Sequence, residues 1–398
     1  MEHEKRWAIV SLASIPLVMT LGNSMLIPVL PTIEEKLKIS SFQVSMIITL
    51  YSVVAIILIP IAGYLSDRIG RKKVIIPSLL IAGIGGLLSG WAAWKMKDPY
   101  VMILLGRVLQ GVGAAGAAPV VMPLVGDMFK NQEEVSKELG VIETSNTFGK
   151  VLSPILGSLL AGYIWYLPFF AFPVFTVISV VLMLFLVKSP KKRQRPLPFK
   201  KFLICIKDIF KKNGHWLYAI FTIGCVLMFV LFGVLFYLSS MLEDQHHIDG
   251  LKKGFTLAIP LAALCFASYI TGKKIKENKV LMKWITFFGI LLLAISVFAI
   301  SFTENIFLLL VIFFFCGLGI GVALPCLDAL ITEGIEKEER GTITSIYSSM
   351  RFIGVAAGPP VFVLLMKASH QVMFYSITGI CLLTAFIALK EIKPKEIK

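Results

Sequence analysis

Five ionisable side chains, Arg107, Glu143, Lys150, Asp328 and Arg351, stand inside long apolar stretches of this chain. Charge is costly in hydrocarbon, so each is a candidate for function. Glu143 and Lys150 are seven residues apart with Asn146 and Thr147 between them, which places all four on one face of a helix. At 1.5 Å per residue the acid and the amine stand roughly 10 Å apart. That is too far for a direct pair, so the stripe reads as the lining of a water-filled path. A carboxylate there can carry a proton, because burial favours the protonated acid and an approaching cation such as Arg107 or Lys150 drives the proton off. Glu143 is the first candidate for that role, and Asp328, nearer the inner end of its stretch, is the second. Arg351 offers a planar fork of donors that suits a carboxylate or phosphate. Three cations against two acids favour an anionic or zwitterionic small-molecule substrate over a simple organic cation.

Elements long enough to hold these groups in a bilayer need about 20 mostly apolar residues each. The chain supplies twelve: 7–30, 42–64, 74–94, 99–126, 137–163, 166–187, 215–241, 253–272, 281–302, 306–331, 341–366 and 370–389. An even number puts both termini on one side. If that side is the cytoplasm, seven of the 39 Lys and Arg (Lys36, Lys38, Lys95, Lys97, Lys252, Lys253 and Lys367) lie in outer loops and three within spans; the rest are inside. The expected architecture is all-α and integral to the membrane, with twelve transmembrane helices in two pseudo-symmetric six-helix bundles, 1–187 and 214–398. Between them, 188–213 is a basic cytoplasmic linker. Its Phe199, Phe202, Leu203, Ile206 and Phe210 alternate with lysines at helical spacing, as in an interfacial helix on the inner leaflet.

Composition agrees: of 398 residues, 57% are hydrophobic and 16% charged, against about a quarter charged in a soluble protein. The net charge of +15 is concentrated at the ends of apolar spans, where it meets lipid head groups, and nucleic-acid binding is rejected. The six cysteines have no paired spacing and read as packing residues. Lys5 and Arg6 precede an apolar run too long for a signal peptide and without a cleavage site, so that run reads as a retained first helix. Glu243, Asp244, His246, His247 and Asp249 form a solvated acidic loop, and no metal site is expected. The spans lack the His and acid constellation that a membrane enzyme would need.

The halves echo each other. Gly149 to Pro154 matches Gly354 to Pro359 as Gly-x-x-x-(Gly/Ser)-Pro, and aligning Pro119 with Pro325 sets Asp127 opposite Glu333. Between spans two and three lies a dense polar knot, Gly63-Tyr64-Leu65-Ser66-Asp67-Arg68-Ile69-Gly70-Arg71-Lys72-Lys73. Gly63 permits close helix approach, Asp67 and Arg71 are one helical turn apart, and Gly70 allows a turn that other residues resist.

This knot resembles the signature of the major facilitator superfamily of transporters. Leu21 to Pro31, Arg107-Val108-Leu109-Gln110-Gly111-Val112-Gly113-Ala114-Ala115 and Gly149 to Leu159 resemble the first-, fourth- and fifth-helix motifs of its twelve-helix drug:proton antiporter branch. Ser153 and Ser158 replace glycines of the fifth-helix motif. The first helix carries Thr20, Asn23 and Ser24 where some members use an acid to bind cationic drugs. The resemblance implies a proton-coupled exporter of small amphipathic molecules, of the multidrug-efflux type, working by alternating access with the proton gradient and no cofactor. Two alternatives stand beside it: an exporter of an endogenous anionic metabolite such as a siderophore, and a lipid flippase on the same fold. It further implies that Arg107 handles protons, beside the candidates Glu143 and Asp328. On the reading of the polar groups in the spans, Asn23, Gln110, Asn146, Lys150, Asp328 and Arg351 would hold substrate. By the resemblance again, Gly63, Asp67, Arg71 and Asp127 would gate, with Arg71 bridging to Asp127 and Asp67 facing the start of span eleven. The expected setting is the plasma membrane of a bacterium, as a multi-pass monomer.

Overall fold

The computed structural model describes residues 2–129, 132–188, 199–275, 278–335 and 337–393. Among these residues the regular structure is helical. The first unit holds α1 (Glu2–Ser24), a 3-10 turn (Ile27–Val29), α2 (Leu30–Leu37), α3 (Ser41–Ile69), α4 (Arg71–Lys95), α5 (Tyr100–Met128), α6 (Gln132–Tyr163) and α7 (Leu167–Leu186). The second holds α8 (Phe199–Asp244), most of α9 (Gly250–Ile275), α10 (Lys279–Ile300), α11 (Ile306–Gly334), α12 (Lys337–Ala368) and α13 (His370–Glu391).

Among the described residues eleven helices are long and apolar enough to cross a membrane, with α1 to α2 taken as one span. Among the described residues α6 is the long helix outside that set, because its stripe of Glu143, Asn146, Thr147 and Lys150 lowers its hydropathy. Side chains that a water-soluble fold would bury point outward instead. Phe185 is 81% exposed and Phe307 78%, as lipid-facing groups are.

Two expectations are corrected. The first span does not run unbroken to residue 30. It ends at Ser24 and resumes through the 3-10 turn into α2, because Pro28 and Pro31 lack the N–H groups a continuous helix requires. Nor is the linker helix a separate element. From Phe199 it runs directly into the seventh span as a single 46-residue helix, there being no proline to interrupt it. The proline-rich stretch 189–198 and the side chains of 199–213, on which the amphipathic face was read, lie outside the described residues.

Inside each unit the same pairings recur. In the first, α1 packs on α6, α4 on α5 and α4 on α7; in the second, α8 packs on α12, α10 on α11 and α10 on α13. Small residues allow these approaches. A Cβ on Gly106 of α5 would lie 2.5 Å from the Gly85 carbonyl of α4, and one on Gly319 of α11 would lie 2.6 Å from the Gly289 carbonyl of α10.

Candidate functional site

Three helices of the first unit converge on Arg107. Its side chain is wholly buried. Nε donates to the Ile47 carbonyl of α3 at 2.8 Å, Nη1 to the Gly22 carbonyl of α1 at 3.0 Å and to Gln110 Oε1, and Nη2 to Asn23 Oδ1 at 2.8 Å. The guanidinium carbon lies 4.6 Å from the centre of the Tyr51 ring. These partners are all neutral. In place of a counter-charge, oriented carbonyl dipoles and the ring face stabilise the cation. Gln110 sits one turn along α5 from Arg107. The break after Ser24 leaves Asn23 in the last turn of α1, facing α5. The structure thus joins Arg107, Gln110 and Asn23, and Glu143 is not among the partners.

The stripe of α6 has its own connections. Thr20 of α1 donates to Asn146 Oδ1 at 2.6 Å, and Asn146 Nδ2 donates to Glu143 Oε1 at 3.2 Å. Thr147 turns its hydroxyl back to the Glu143 carbonyl at 2.7 Å, which leaves the helix backbone satisfied. Lys150, two turns from Glu143, is buried. Glu143 and Asn146 are half-buried, as groups lining a cavity are. Ser153, in place of a motif glycine, is buried and bonded to the Gly149 carbonyl at 2.6 Å.

In the second unit the two remaining charges meet. Arg351 Nη1 of α12 lies 3.5 Å from Asp328 Oδ1 of α11, with side-chain exposures of 18% and 34%. Arg351 also lies over Tyr347, one turn before it on the same helix, at 5.7 Å. Of the three cations and two acids counted in the sequence, one cation and one acid are thus together, and the excess of one cation remains.

The polar knot joins α3 to α4. Gly70 has φ of +108°, a backbone that a side chain would strain, and it sets Arg71 at the start of α4. Arg71 pairs with Asp67 at 3.0 Å and, across to the end of α5, with Asp127. Its Nη1 also reaches Ser66 Oγ at 3.4 Å, and Ser66 in turn donates to the Gly63 carbonyl at 2.7 Å. Lys72 donates to the carbonyls of Leu184 and Val187, at 3.1 and 2.6 Å, capping the C-terminal end of α7.

Sequence reasoning missed Tyr51 and Tyr347 beside the two arginines, and the Lys72 cap. It noted Thr20 as polar without giving it a partner. Tyr51 carried a usable signal, since a lone aromatic with a polar tip in an apolar span needs a partner. The Gly22 and Ile47 carbonyls carried none.

Comparison with known proteins bears on family and fold. The chain is 56% identical to the Bacillibactin exporter of Bacillus subtilis over 389 residues, 98% of this chain and 97% of the relative. It is 26% identical to Multidrug resistance protein 2 of Bacillus subtilis, over 90% of this chain and 88% of that one. Its fold matches the crystal structure of a bacterial homologue of the human lysosomal transporter Spinster, inward-facing and unoccupied, with a TM-score of 0.82 at 14% identity, covering 100% and 99% of the two chains. The profile of the Major Facilitator Superfamily matches residues 12–359 and 278–398. With eleven membrane-length apolar helices among the described residues, two repeating units and these matches, the chain is a transporter belonging to the Major Facilitator Superfamily.

Proposed function

We propose that this transporter exports an anionic siderophore of the bacillibactin kind from a bacterial cell, by alternating access and in exchange for protons. The observation that carries the reading is the 56% identity, end to end, with a bacillibactin exporter. The multidrug relative is far more distant, at 26%, so export of an endogenous anion takes precedence over broad drug efflux. The side chains support this choice: Lys150 and Arg351 place cations within the spans, and the first helix offers Thr20, Asn23 and Ser24 with no acid for a cationic drug. Proton exchange falls to Glu143, half-buried and bonded to a neutral amide. Arg107, with Asn23 and Gln110 buried around it, keeps the surrounding helices in register, and the half-buried Asn146 supplies a neutral hydrogen bond to the cargo. The Asp67–Arg71–Asp127 cluster at Gly63 to Lys73 acts as the latch of the gate. The distribution of Lys and Arg puts both termini in the cytoplasm, and the protein works as a monomer in the plasma membrane.

Everted membrane vesicles test the reading. Under an imposed pH gradient, uptake of iron-free bacillibactin should exceed uptake of a cationic dye by at least about tenfold. Comparable uptake of both would favour the multidrug reading, and siderophore uptake indifferent to the gradient would remove proton exchange. In Glu143→Gln, siderophore uptake should persist down its own gradient while its response to pH disappears.

A further inference from the structure

Two of the contacts made by Arg351 differ in strength. Its 3.5 Å separation from Asp328 exceeds the roughly 2.7–2.9 Å of a close charge-assisted hydrogen bond, and water reaches both side chains. Such a pair is weak enough for a solute to break. The other contact is fixed. Tyr347, beneath the guanidinium, is only 2% exposed and packs against Phe221 of α8, with ring centres 5.9 Å apart. The α8 backbone comes so close at Gly224 that a Cβ there would lie 2.6 Å from the Tyr347 ring. The ring is thereby immobilised, and it holds Arg351 whatever Asp328 does. Asp328 is the more exposed partner, so water can solvate its carboxylate once it leaves.

Building on the export reading above, we infer that Asp328 is a built-in stand-in for the cargo: an anionic group of the substrate displaces it from Arg351, which stays over Tyr347. The asymmetry sets the sign of the ligand. An incoming anion exchanges one carboxylate for another acceptor on the guanidinium and leaves the displaced Asp328 to water. An incoming cation would have to take Asp328 while the anchored guanidinium remained beside it, like charge against like. Two adjacent oxygens, as in a carboxylate or a catecholate, fit the planar fork of donors. Asp328 thus acts as a specificity-determining residue through competition and not through contact with the bound cargo.

Binding to the purified full-length protein tests this, with 2,3-dihydroxybenzoate as the anionic probe and tetraphenylphosphonium as the cationic one. Asp328→Asn should bind dihydroxybenzoate about tenfold more tightly, Arg351→Gln at least about tenfold more weakly, and the double variant like Arg351→Gln alone. Weaker or unchanged anion binding in Asp328→Asn, or tighter binding of the phosphonium, would overturn the stand-in. Monodisperse elution and an unchanged unfolding midpoint verify the fold, and Asp328→Ser should move affinity in the same direction. The wild type provides a check independent of any variant: the uncharged dihydroxybenzamide should bind about tenfold more weakly than the benzoate, and equal binding would overturn the inference. If these ratios hold but vesicles do not transport bacillibactin, only the export reading fails. If bacillibactin is transported but the ratios are reversed, only the stand-in fails.

Discussion

The two halves repeat their helix pairings but not their charges. Aligning Pro119 with Pro325 sets Phe313 opposite Arg107 and Cys316 opposite Gln110, and both residues of the second half are buried. The place that holds a four-way polar junction in the first unit is thus apolar packing in the second. Aligning Gly149 with Gly354 sets Asn146 opposite Arg351. There the first half holds a neutral amide tied to α1, and the second holds a cation beside an acid on α11. Arg107 is wholly buried and bonded across to α1 and α3; Arg351 is 18% exposed and 3.5 Å from Asp328. A charge sunk that deep and satisfied at that many points fixes a bundle. A charge near water with a displaceable partner is free to meet a solute.

The largest effect should come from Arg107→Ala. Removing the guanidinium leaves the Gly22 and Ile47 carbonyls and the oxygens of Asn23 and Gln110 buried without their donor, at a cost of about 3–5 kcal/mol. The unfolding midpoint in detergent should fall steeply, and little folded protein should reach the membrane. Arg351→Ala should change stability by about 1 kcal/mol or less, since a water-exposed pair contributes little, yet reduce anion uptake by about tenfold or more. Equal destabilisation by the two substitutions would break the comparison.

The packing symmetry makes the opposite prediction. Gly106→Ala and Gly319→Ala each bring a methyl group to 2.5 or 2.6 Å from a facing glycine carbonyl, so each should cost about 1–3 kcal/mol of overpacking strain and the two costs should match. A Cβ at Gly126 or Gly379 meets nothing within 4 Å, so alanine there should be tolerated. Thermal unfolding of the four variants checks both statements. A large difference between Gly106→Ala and Gly319→Ala would mean that the halves differ in packing as well as in charge.

Much of this was legible in the sequence because a bilayer leaves few options. Apolar length gives the spans, and the glycine and proline echo gives the repeat. The helix α6 was read from its ends and its stripe even though it falls outside the helices apolar enough to cross a membrane. Each of Arg107, Asn23 and Gln110 stood out as polar in an apolar span. Their junction did not, because 84 residues separate Asn23 from Arg107 and two of the acceptors are backbone carbonyls with no side-chain signature. Asp328 and Arg351 were likewise visible singly and counted as independent charges. Their pairing depends on how α11 lies against α12, which no periodicity within either helix encodes. The break in the first span was written in Pro28 and Pro31, but in the reading of the sequence apolar length outweighed them.

The smallest effect tests the neutral side of the comparison. Thr20 links α1 to Asn146, and Asn146 directs its amide donor at Glu143. Thr20→Val keeps the shape of the side chain and removes the hydrogen bond, at a cost of about 1 kcal/mol, so folding should survive. What should change is the orientation of Asn146, which without Thr20 can rotate and offer Glu143 either its donor or its acceptor. The pH dependence of uptake should therefore shift or broaden in Thr20→Val and return in Thr20→Ser, while Asp328→Asn leaves that dependence in place. A pH profile unmoved by Thr20→Val would mean that the α6 stripe is held by its own helix alone. The amide opposite Arg351 would then be packing, and the functional asymmetry between the halves would rest on the second half's cation.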